Sequence, residues 1–189
     1  MKLAEWVKLF DELKSKGVRV VHVSALKSIS GLDTSSLSVT LWRLEKLGLI
    51  SRVTKGWVCI GECSVSEIVK AVFPSAYISL EWALHYHDVL DQEVHVVTLV
   101  WLGKPKRIKG RKYVFELHKI KRELYFGFNV ESMIAEPEKA LLDTIYFRGR
   151  RPPELNLELL NRNKLLSYAE KYPLRVRKAV HDLAVRMSQ

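Results

Sequence analysis

The stretch "HYHD" at 85–88 gathers His85, His87 and Asp88, with His95 seven residues on, and so invites a metal-binding reading. On a helix the side chains turn by about 100° per residue, so His85 and His87 point about 200° apart and cannot ligate one ion together. A second acidic set, Glu136, Glu138 and Asp143, has the chemistry to hold a divalent cation for nuclease work. Glu136 and Glu138 fall in the first turn of an expected helix, where acids complement the helix dipole, and Asp143 has no second acid at a useful spacing. Glu116 and Lys119 are separated by two residues, so a Glu-x-Lys nuclease pattern is not met. Cys59 and Cys63 lack further Cys or His at zinc spacing and are expected as free, partly buried thiols. No Gly-rich phosphate loop, Gly-x-Ser-x-Gly turn or zinc-protease helix occurs. The expectation is a protein without catalytic residues, metal or cofactor, and not an enzyme.

The segment "LDTSSLSVTLWRLEKLGLISRVTKGWVCI", Leu32 to Ile60, offers a different chemistry. Asp33 can cap a helix from Thr34 to Leu47 that Gly48 terminates. Leu37, Leu41 and Leu44 share one side of that helix. Thr34, Ser35, Ser38, Val39, Trp42 and Arg43 occupy its N-terminal turn and opposite side. Hydroxyls bond base edges and phosphates, and a valine meets a thymine methyl. Arg43, further along, suits a phosphate contact that fixes register rather than a base contact. "LISRV" and "WVCI" then read as strands joined by Thr54-Lys55-Gly56, with Lys55 at the hairpin tip and Arg52 beside it, both suited to flanking DNA backbone. These eight residues are the candidate DNA-binding set. Winged-helix domains also dock proteins, and the Ser and Thr would then be capping and surface residues; the basic excess favours DNA.

Other elements must position this helix. Leu3, Trp6, Val7, Phe10 and Leu13 recur at helical spacing up to Gly17, Val18 to Val23 reads as a strand, and Ser24 caps a short helix ending at Gly31. Helix, strand, helix, turn, helix, strand, strand is the order of a winged helix-turn-helix, assigned to residues 1–63 with a junction at Gly61 to Ser64. Residues 64–189 read as a mixed α+β domain with a helical tail. Its expected helices are Ser64 to Phe73, Ser79 to His87 capped by Ser79, and "EPEKALLDTIYF", with Pro137 near the start and Ala140, Leu141, Ile145 and Tyr146 inward. Its expected strands are Val94 to Leu102, Arg111 to Ile120 and a short one in "ELYFGFNV". The tail runs from Leu155, broken at Pro173, after a second hinge at Gly149 to Pro153. The fold class is α+β.

At 189 residues, 48% hydrophobic and 28% charged, the chain is long enough to bury a core. No apolar run reaches the ~20 residues that span a bilayer. The first residues carry Glu5, Asp11 and Glu12 in an amphipathic pattern unlike a signal peptide, so a cytoplasmic protein is expected. The formal charge of +10 gathers at both ends: residues 1–63 carry +4, 64–148 carry +1 and 149–189 carry +5. That distribution suits a polyanionic partner. The link from Lys104 to Lys112 holds six basic residues, Lys104, Lys106, Arg107, Lys109, Arg111 and Lys112. It reads equally as a second surface for phosphates or an acidic partner and as a solvated hairpin tip.

"FPSAYISLEWALHYHDVL" followed by "VHVVTLV", and later "EPEKALLDTIYFR", resemble the abortive-infection AbiEi family of antitoxins, which pair a winged helix-turn-helix with an α+β domain. The family's two helical strings match Tyr77 to Glu81 and Pro137 to Asp143, and the resemblance covers roughly residues 1–148. It implies a type IV toxin–antitoxin system of phage defence. The transcriptional regulator would repress its own promoter as a monomer or homodimer on double-stranded DNA. Its second domain would counteract a nucleotidyltransferase-like toxin encoded beside it. Carry-over to single residues is confined to the recognition helix and wing. The alternative is a plain winged-helix transcription regulator whose α+β domain binds a ligand or partner. A nuclease that docks through the winged helix ranks third, for want of a carboxylate cluster.

Overall fold

The computed structural model describes residues 1–187 and divides into two compact units. One comprises Met1–Pro74 together with Lys109–Tyr113, the other Ser75–Ile108 together with the chain from Val114 onward. The division expected at residue 63 thus falls at Pro74, and a short later stretch returns to the first unit. The last two residues of the expected second domain lie outside the described residues.

The first unit contains α1 (Leu3–Ser15), β1 (Val20–His22), α2 (Val23–Ser30), α3 (Thr34–Lys46), β2 (Ile50–Thr54), β3 (Trp57–Ile60) and α4 (Val65–Val72). The elements up to β3 form the winged helix-turn-helix, with an antiparallel sheet in the order β1-β3-β2. Trp6 and Phe10 of α1 pack with Leu26 of α2, with Leu37, Leu41 and Leu44 of α3, and with Ile50, Val58 and Ile60 of the sheet. Each large apolar side chain so removed from water contributes about 1.5–3 kcal/mol. The leucine stripe therefore decides which face of α3 turns outward. Gly48, at φ 71°, ends α3 by letting the Leu49 amide reach the Leu44 carbonyl at 3.0 Å. One cap differs from expectation: α2 is capped by His22, whose Nδ1 accepts from the Ser24 amide, so Ser24 is not the cap. α4 opens with the reciprocal pair of Ser64 and Glu67.

The cysteines are a correction. Cys59, at the inner side of β3, and Cys63 form a disulfide rather than standing free. The turn at Gly61 folds the chain back and brings the two Cα atoms to 6.0 Å, within bridging range.

The second unit contains β4 (Ala76–Ile78), α5 (Leu80–Tyr86), β5 (Val96–Trp101), β6 (Lys106–Lys109, its last residue grouped with the first unit), β7 (Val114–Lys119), β8 (Phe128–Asn129), β9 (Ile134–Ala135), α6 (Pro137–Arg148), α7 (Arg162–Ala169) and α8 (Leu174–Arg186). Its sheet runs β6-β7-β5-β4-β9-β8, with β5 parallel to β7 and β4 antiparallel to β5. The link expected to be a loop contains β6, and β4 and β9 are too short for an alternation to register. α6 is not amphipathic but buried from Glu138 through Ile145, because α5, α7 and α8 all pack on it. The expected hinge at Gly149 to Pro153 lies inside this unit. No helix among the described residues is long and apolar enough to cross a membrane.

Candidate nucleic-acid interface

The start of α3 is held by its cap. The Asp33 carboxylate accepts the amides of Ser35 and Ser36 at 2.9 and 3.0 Å and both of their hydroxyls at 2.6 Å. Those hydroxyl bonds, with the amides, hold the Asp33 carboxyl far below the usual aspartate range. Thr34 Oγ1 accepts from Lys27 Nζ at 2.8 Å, which ties α2 to α3. Thr34 and Ser35, expected to face a groove, are thus engaged locally, and each keeps lone pairs for a further bond. Ser38 and Arg43 stand exposed, and Val39 and Trp42 are 50% and 55% exposed. Ser35, Ser36, Val39, Thr40 and Arg43 line a shallow depression on this face. Lys46 Nζ lies 5.8 Å above the Trp42 ring. An outward face that mixes hydroxyls, a small aliphatic and a cation matches what base edges and phosphates require.

The wing is fixed against the helices. Lys55 and Gly56 form the tip between β2 and β3. Gly56 has φ 79°, and a Cβ there would come within 2.8 Å of His22 Nε2, so only glycine suits the site. Its carbonyl accepts the Val23 amide at 2.8 Å, and the His22 ring meets Trp57 edge-on at 5.0 Å. Lys55 is exposed, as expected. Arg52 is not a free neighbour of it: its Nε donates to Glu45 Oε2 at 3.1 Å and braces the wing on α3. Sequence reasoning missed Glu45 and His22. Glu45 left one signal, as the sole acid inside α3.

The basic run splits. Lys109 and Arg111 belong to the first unit and line a cleft with Arg52, Lys55 and Trp57, while Lys112 Nζ lies 5.3 Å from the Tyr113 ring. Lys104, Lys106 and Arg107 belong to the second unit and are exposed, with Lys106 Nζ 4.6 Å above the Trp101 ring.

Inside the second unit, the two strings that carry the resemblance meet at one buried carboxylate. Asp143 Oδ1 accepts from Lys139 Nζ and from Tyr172 OH at 2.7 Å; its Oδ2 accepts from Tyr77 OH at 3.0 Å and Ser79 Oγ at 2.7 Å. Ser79, expected to cap α5, is engaged here instead. Lys139 is fully buried, donates also to Tyr172, and is ringed by Tyr77, Phe126 and Tyr172 at 5.1–5.4 Å. Burial lowers the Lys139 pKa against the pull of Asp143 and raises those of Tyr77 and Tyr172. Leu80, at φ 54°, follows Ser79 in a strained strand-to-helix turn. Ser79 is 0% exposed, so no substrate reaches it.

The remaining candidates are likewise engaged. Glu138 Oε1 accepts the Asn161 amide at 2.7 Å and Glu136 Oε2 accepts Tyr168 OH at 2.7 Å, so both acids anchor the tail as well as starting α6. Arg148 grips Glu81 through two nitrogens at 2.7 and 3.1 Å and reaches Glu116 at 3.0 Å. Burial lowers the His118 pKa in spite of Glu116 beside it. His85 Nδ1 lies 3.3 Å from the Leu90 carbonyl, and His87 Nε2 donates to the Ala135 carbonyl at 2.8 Å. No group of three or more potential metal ligands occurs among the described residues. Comparison with family models finds none that matches the chain, and comparison with curated proteins finds no match.

Proposed function

We propose that the protein is a DNA-binding transcriptional repressor that acts as the antitoxin of a type IV toxin–antitoxin system. In this reading it binds its own promoter through α3 and the wing. The observation that carries the DNA half is the outward face of α3, with Ser38, Val39, Trp42 and Arg43 exposed on a helix whose other side fills the core. Lys55 on the braced wing stands ready for a flanking phosphate. The antitoxin half rests on the strings "YISLE" and "PEKALLD". Tyr77, Ser79, Lys139 and Asp143 of those strings are buried, so these side chains serve the core of the second unit and not a toxin-facing surface. That burial favours a second reading, a plain winged-helix regulator with a ligand- or partner-binding α+β unit.

The test is fluorescence anisotropy on the upstream duplex and on a scrambled one across a salt series. Specific binding is expected, with Arg43→Ala and Lys55→Ala each weakening it and flattening the salt slope by about one. Equal, weak binding to both duplexes, unmoved by either substitution, would overturn the assignment of α3.

A further inference from the structure

We infer that the turn Lys109–Lys112 is a second phosphate-gripping element, closing with the wing a cationic cleft for the sugar–phosphate backbone that flanks the groove read by α3. The inference rests on the DNA-binding reading above.

Three observations lead to it. First, Lys109–Tyr113 belongs to the winged-helix unit although the chain has left that unit at Pro74. Second, the turn is fixed there by the wing's own irregularity. The register of β2 against β3 slips between Arg52 and Thr54, so Val53 has no partner across the ladder. Its carbonyl instead accepts the Arg111 amide at 3.0 Å. The turn closes on itself through the Gly110 amide and the Tyr113 carbonyl at 2.9 Å. A solvated tip would carry no such anchor. Third, the anchored turn and the wing face a common cleft of about 440 Å³ whose charged lining residues are Arg52, Lys55, Lys109 and Arg111, all cationic. Glu45 outside that lining meets Arg52 at 3.1 Å and Arg111 at 3.9 Å and so aligns two of them. Lys55 and Lys109 have no acidic partner among the described residues.

Four cations around a concave wall concentrate positive potential where a polyanion gains most from counterion release. A duplex backbone fits this arrangement: it is continuous, doubly flanked by charge, and adjacent to the helix that enters the groove. The contact carries no base information; it adds affinity and holds register. Within the six-residue basic run, the structure assigns this role to Lys109 and Arg111 and not to Lys104, Lys106 or Arg107.

The experiment uses the full chain and the duplex that binds specifically, with flanks long and then trimmed. Lys109→Ala combined with Arg111→Ala should flatten the salt slope by about two relative to wild type. Arg111→Ala leaves the anchoring amide in place, and the single Lys109→Glu, at an exposed position, should also weaken binding with an unchanged melting temperature. Lys104→Ala combined with Lys106→Ala should leave the slope as in wild type. Trimming the flanks should abolish the difference between wild type and the Lys109/Arg111 variant. If Arg43→Ala weakens binding but the Lys109/Arg111 variant and Lys109→Glu match wild type, the cleft is not a backbone contact and the DNA reading stands. If Arg43→Ala too is without effect, the DNA reading itself fails and this inference falls with it. Tight capture of inorganic phosphate or a mononucleotide by the cleft, with duplex binding untouched by its variants, would likewise overturn it.

Discussion

Lys139 and Asp143 lie one helical turn apart in α6, both at 0% exposure, and their neighbours are chosen to satisfy them. Each Asp143 oxygen has two donors, and the aromatic faces around Lys139 favour a cation. Removing one partner leaves the other charge buried, so Lys139→Met should cost about 3–5 kcal/mol, read as a fall in the urea midpoint. Combining it with Asp143→Leu should be less damaging than the single change, because no charge then remains to be desolvated. A single variant with a wild-type midpoint would show that water reaches the carboxylate. Lys and Asp at i and i+4 are visible in "PEKALLD", yet the same spacing on a surface helix is a solvated pair. Tyr77, Ser79 and Tyr172 come from far along the chain, so only the fold reveals that this pair is interior.

Among the elements, α3 starts on a single capping carboxylate that accepts two amides and two hydroxyls. Asp33 carries a pKa below its usual 3.8 because it is bonded by Ser35 and Ser36. A carboxylate with a depressed folded value stabilises the fold fully above 3.8 and loses that contribution as pH falls through the folded value. Asp33→Asn should therefore melt below wild type at neutral pH, and the two melting curves should converge in acid. A gap independent of pH would mean that the charge plays no part in the cap. Such caps explain why the winged helix was readable: Asp33, Gly48 and the leucine stripe act within a few residues of one another. The second unit was less so. β4 and β9 are only three and two residues long, β6 lies in a run whose charges hide it, and α6 is buried all round and has no polar face to betray its period. Within the candidate site, Arg43 and Lys55 are where the pattern put them, whereas the Glu45 brace and the Cys59–Cys63 bridge depend on turns that bring separate residues together.

For the molecule as a whole, the winged-helix core draws, among the described residues, on those from Trp6 to Ile60. A fragment ending at Pro74 should then unfold in one cooperative transition by circular dichroism, at a lower temperature than the same unit in the full chain. A fragment without a transition would show that Lys109–Tyr113 is needed for folding and not only for charge. The order in which these pieces leave the ribosome gives the arrangement a further meaning. The unit is nearly complete once Pro74 has been made, but its last five residues follow only after Ser75–Ile108. At synthesis rates of about 5–20 residues per second that interval is roughly two to eight seconds, far longer than a chain of this size takes to collapse. During it the nascent chain carries a folded α3 beside a bare β2 edge, with the Val53 carbonyl still open to any other amide that arrives first.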